Sequence, residues 1–132
     1  MVSKSQTQHV VTQLARQHKA AVERHNADGL SDTACAVHKA RIDSLVEEMS
    51  FHPAGSATGT LYMASVLRSE IDAQASGNEA SEERLTRMER LAVALVQYIE
   101  QTGGIRREDL ALDWFAPAFL DGLPFGREAK AA

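Results

Sequence analysis

The chain has 132 residues, of which 44% are hydrophobic and 24% charged, and it carries a formal net charge of −4. These values describe a globular chain of one domain and exclude whole-chain disorder. The acidic balance, with a sequence pI of about 5.7, argues against a general nucleic-acid binder, which needs a positive field to meet phosphate charge.

The first helix is expected from about Ser3 to Asn26, because Val11, Leu14, His18, Ala21, Val22 and His25 recur at spacings of three and four. Gly29 then offers a left-handed end. A second helix starts at Ser31 or Asp32, both good N-cap types, and carries Ala34, Cys35, His38, Ile42, Leu45, Val46 and Met49 on one stripe. Pro53 disfavours helical geometry at His52 and stops this helix near Phe51. A third helix begins near Thr58 to Thr60, with Leu61, Ala64, Leu67, Ile71 and Ala75 as its apolar stripe and Val66 flanking.

The fourth helix follows a cap at Ser81, with Glu82 and Glu83 favouring the helix dipole. Leu85, Met88, Ala92, Leu95 and Ile99 recur at helical spacing, Leu91 and Val96 widen the stripe, and Gly103 and Gly104 end it. Beyond it a short helix is expected from Arg106 to about Trp114, then irregular chain around Pro117. No strand-period alternation competes with these elements. The expected fold is all-α: an up-and-down bundle of about four helices with a short C-terminal helical and aromatic cap, forming one domain over residues 1–126 with a solvated tail at 127–132.

The single cysteine, Cys35, leaves no intramolecular disulfide and fits a reducing compartment. The N-terminal stretch lacks the apolar core of a signal peptide, and no apolar run reaches the ~20 residues a membrane span needs. The expected location is the cytoplasm, with no membrane partner.

The histidines are the first candidate chemistry. His18, His25 and His38 all fall on apolar stripes, and inward imidazoles at similar levels are the arrangement a metal or haem site uses. Against it, the chain has no Glu-x-x-His pair, no HExxH and no Cys-His cluster, so the leading expectation is histidines at the core margin and no cofactor. The linker Phe51–Thr60 is the second. Ser56, Thr58, Gly59 and Thr60 put hydroxyls and backbone N–H groups at a helix start, where an anion binds well. A phosphate loop also needs a lysine, and none lies between Lys39 and Lys130. The linker therefore reads first as a helix stop, a turn and a helix start.

The arginines after Ser81, together with Arg106 and Arg107, raise a weak nucleic-acid accessory role. Arg84, Arg87 and Arg90 interleave with Glu82, Glu83 and Glu89, which is the pattern of a solvated face. No catalytic constellation stands out: there is no nucleophile elbow, Cys35 sits on an apolar stripe, and Glu47 and Glu48 point apart on a helix. The one compositional anomaly is C-terminal. Trp114, Phe115, Phe119, Leu120, Leu123 and Phe125 concentrate the only tryptophan and three of the four phenylalanines within twelve residues. Such side chains either cap the bundle or dock on another chain. The leading expectation is thus a small non-catalytic interaction or accessory protein. It self-associates, or binds a protein partner, through apolar helix faces or through this aromatic segment.

Overall fold

The computed structural model describes residues 4–27, 29–77 and 81–125, with side chains between residues 10 and 124. The expected tail at 127–132 and the side chain of Phe125 lie outside the described residues. Four helices carry the fold: α1 (Lys4–His25), α2 (Asp32–Met49), α3 (Ala57–Ala75) and α4 (Glu82–Gly103). Three 3₁₀ helices follow, at Arg107–Leu110, Leu112–Trp114 and Ala118–Phe125, and there is no strand among the described residues.

Each helix from α2 onward starts on a serine whose hydroxyl accepts a backbone N–H three residues ahead. Ser31 takes Ala34 at 3.1 Å, Ser56 takes Gly59 at 2.9 Å and Ser81 takes Arg84 at 3.1 Å. Such caps contribute about 1 kcal/mol each. Gly104, in the left-handed region at φ 63°, closes α4 by donating to the Glu100 carbonyl. α1 packs on α2 and on α3, α3 packs on α4, and the last 3₁₀ helix lies on α4. Val11, Met49, Ala54, Tyr62, Met63, Leu91 and Ala94 form the buried centre.

The stripes of α1 and α2 face inward as expected. Those of α3 and α4 do so only in part. On α3 Leu61, Ala64, Ile71 and Ala75 of the expected row are exposed, Leu61 at 69%, whereas Leu67 and the flanking Val66 pack against the core and Gly59, Tyr62 and Met63 are buried. On α4 the expected row turns outward by one residue. Leu85, Ala92 and Ile99 are exposed and Met88 is half-buried, the inward row is Arg84, Arg87, Leu91, Ala94 and Tyr98, and of the expected stripe Leu91 and Leu95 do pack in the core.

Internal ion pairs explain the rotation of α4. Arg84 Nε donates to Glu70 Oε2 at 2.6 Å, and Arg87 donates to Glu70 at 2.6 Å and to Glu47 at 3.0 Å. Arg90 is buried, bonds Glu47 and the fully buried Ser50 hydroxyl, and lies 3.9 Å over the Phe51 ring. These arginines are therefore not a solvated face. They tie α4 to α2 through Glu47 and to α3 through Glu70, where charge-assisted bonds from the guanidinium groups offset their partial burial.

The linker is structural. Gly55 takes φ 72°, and Gly59 lies so close to the linker that an added Cβ would sit 2.1 Å from the Ala54 carbonyl oxygen. Ser56 Oγ also meets Thr12 Oγ1 at 2.7 Å, which pins the start of α3 to α1. Among the described residues no helix is long and apolar enough to cross a membrane.

Candidate interaction surface

The C-terminal segment is held by one arginine. Arg107 is 5% exposed, and its guanidinium reaches three places at once: Glu100 on α4 (3.1 Å), the Ala116 carbonyl (2.9 Å) and Asp121 (2.6 Å). Its backbone N–H also donates to Glu100 at 2.8 Å. Gln97 on α4 adds a bond to the Asp121 carbonyl at 2.8 Å. The single straight helix expected from Arg106 to Trp114 is absent for this reason. With Arg107 tying both Ala116 and Asp121 back to α4, the chain must turn, and it does so at Ala111, whose φ of 56° divides the two short 3₁₀ turns.

What the staple presents outward is apolar. Trp114 is 85% exposed, Phe115 80% and Phe119 83%, and Ile105, Leu110 and Leu112 beside them are also exposed. Leu120 and Leu123 are half-buried and Pro124 is buried in the segment that rests on α4. The aromatic run thus divides into an inner set that anchors and an outer set that is displayed. α4 also displays Leu85, Ala92 and Ile99, seven residues apart, with half-buried Met88 between the first two, while Leu95 packs on the core. That is the spacing of a seam between two helices, ~21 Å long at 1.5 Å per residue.

The pairing of Glu100 with Arg107 holds that carboxyl below the ordinary glutamate range, through the side-chain hydrogen bond first and the Arg107 N–H second. A depressed folded-state value contributes stability above the ordinary ~4.3, and that contribution disappears as the pH falls through the lower folded value. Acidification below about pH 4 should therefore loosen the segment from α4 before the bundle melts. Fluorescence anisotropy of Trp114, the only tryptophan, should drop while the helical circular dichroism signal holds. In Glu100→Gln the separate acid step should be gone.

The other candidates from the sequence end up elsewhere. His18 faces the Tyr62 ring, with centroids 5.0 Å apart, and burial lowers its pKa. His25 and His38 are half-buried, and among the described residues no three His, Cys, Asp or Glu side chains are grouped as a metal would need. At the start of α3 the Gly59 N–H is taken by Ser56 Oγ, the Thr60 N–H by the Ser56 carbonyl, and the Thr60 hydroxyl by that same carbonyl at 2.8 Å. Thr58 is exposed. The donors that would receive an anion at Ser56, Gly59 and Thr60 are thus spent within the turn. Glu70 was missed in the sequence, and Arg107 was singled out there as a basic surface residue rather than as an internal staple. Neither sits in a motif, and their partners lie 7 to 17 residues away across a chain reversal.

The chain matches no family model, no curated protein and no solved structure. The functional reading therefore rests on the surface itself.

Proposed function

We propose that the protein is a helical interaction protein that pairs with a second copy of itself through the outer row of α4 and the displayed aromatic side chains. The observation that carries this reading is the display of Trp114, Phe115 and Phe119, each at least 80% exposed, on a segment fixed to the bundle by a buried arginine. An unstructured tail would leave its aromatic residues in water at no cost in organisation. A fixed display of three aromatic side chains is the composition of an interface core.

Area supports a second copy as the occupant. Three aromatic side chains offer roughly 450–750 Å² at about 150–250 Å² each. With the exposed Leu85, Ala92 and Ile99 of α4 added, the apolar area approaches the ~800 Å² per partner of a standard interface. A row that repeats every seven residues on a helix also complements its own copy across a two-fold axis, since each helix supplies both knobs and holes.

Light scattering and sedimentation test it. The wild-type chain should be dimeric at micromolar concentration, and Trp114 emission should move to the blue as concentration rises. Trp114→Ser and Phe119→Ser should each weaken the dimer at least ~30-fold if the two aromatics are interface anchors. Both should leave the melting of the monomer nearly unchanged, because exposed positions contribute little to folding. A wild-type chain that stays monomeric throughout, or variants that dimerise as tightly as wild type, would overturn the proposal.

A further inference from the structure

The methionines among the described residues fall into two kinds of place. Met49 of α2 and Met63 of α3 belong to the buried centre, and both are 0% exposed. Met88 of α4 is half-buried. It follows Leu85 by three residues and precedes Ala92 by four, so on the helix it borders both of these exposed apolar positions.

A thioether is a flexible apolar group that one added oxygen makes polar. Peroxide reaches Met49 and Met63 only when the core opens. At Met88 part of the side chain already stands at the surface. In the single chain a half-buried side chain with three rotatable bonds can turn a new oxygen toward water, so the fold tolerates it. In a seam between two copies that oxygen would leave water without a donor. Leu85 and Ala92 carry none, the Glu89 carboxylate only accepts, and Arg84 one turn earlier is held by Glu70.

We infer that Met88 is a redox-sensitive modification site, where oxidation of the thioether by hydrogen peroxide weakens the dimer proposed above, on which this inference rests. The sulfur lone pair attacks one peroxide oxygen, and an S–O bond forms as the O–O bond breaks. Sulfur loses two electrons. The proton of the transferred hydroxyl passes to the departing hydroxide, and the products are the sulfoxide and water. Enzymatic reduction back to the thioether reverses the change.

The test treats the full-length protein with dilute hydrogen peroxide and follows it by peptide mass spectrometry and sedimentation. One oxygen should appear at Met88 while Met49 and Met63 stay unmodified. The oxidised dimer should be weaker by about tenfold or more, with the melting of the monomer nearly unchanged. Methionine sulfoxide reductase should restore the dimer. Met88→Leu should dimerise like wild type and keep its dimer through the same treatment, which separates Met88 from the exposed Trp114 as the group attacked. Oxygen on Met49 or Met63 ahead of Met88 would overturn the inference and leave the dimer reading standing. So would a Met88 sulfoxide that dimerises as tightly as the untreated chain, or an equal loss of the dimer in Met88→Leu. A chain that is monomeric before any peroxide is added overturns both.

Discussion

Gly59→Ala should destabilise the protein by roughly 3 kcal/mol or more, in spite of a better helix former at a helical position. Propensity alone favours alanine by about 1 kcal/mol inside a helix. Sterics decide the other way. The new Cβ would lie 2.1 Å from the Ala54 carbonyl oxygen and 3.1 Å from Val11 Cγ1. The first neighbour is backbone, in a linker whose Ala54 is itself buried, so it has no rotamer through which to yield. Relief requires moving α3 off the linker, which also strains the bond from Ser56 to Thr12. Urea denaturation should place the midpoint well below wild type. Gly103→Ala is the comparison, because there a Cβ meets only Ile105 at an ordinary 3.6 Å, and that variant should match or slightly exceed wild type.

This contrast bears on what a sequence can disclose. Helix existence and helix ends were legible, since they depend on local chemistry: serine hydroxyls at Ser31, Ser56 and Ser81, the proline after His52, and the glycine pair after α4. Which face of α3 and α4 turns inward was not. On α4 the apolar Leu85, Ala92 and Ile99 are displayed, and the row carrying Arg84 and Arg87 turns inward. Hydropathy ranks arginine outside. Here Glu47 and Glu70, 40 and 17 residues away in sequence from Arg87, reverse the ranking by supplying a partner for each guanidinium. On α3 the close approach at Gly59 sets the rotation and leaves Leu61 outside. The aromatic segment was visible as composition. Its division into Pro124 within and Trp114 without depends on Arg107, whose partners are distributed over α4 and two turns.

Glu70→Ala tests the inward arginine row directly and should cost about 3–5 kcal/mol, the magnitude for removing one partner of a buried ion pair. The Glu70 side chain is 11% exposed and receives both Arg84 and Arg87 at 2.6 Å. Its loss leaves Arg84 with only the Glu70 backbone carbonyl at 3.0 Å, and leaves Arg87 with Glu47 alone. Each guanidinium is then part-buried and under-compensated, so α4 must either hold that charge inside or rotate to bring it to water. Rotation would draw the Leu85–Ile99 row inward, so the lost stability should come with a weaker dimer. Exposed Glu48, whose partner is His52 at 3.1 Å, should cost well under 1 kcal/mol as Glu48→Ala. The triple variant Glu70→Leu with Arg84→Met and Arg87→Met should recover much of the loss seen in Glu70→Ala, because it removes both guanidinium groups that Glu70 compensates and leaves no buried charge from this cluster's α3–α4 side. If Glu70→Ala melts within a degree or two of wild type, the ion pairs do not set the rotation of α4. The outward apolar row would then need another cause.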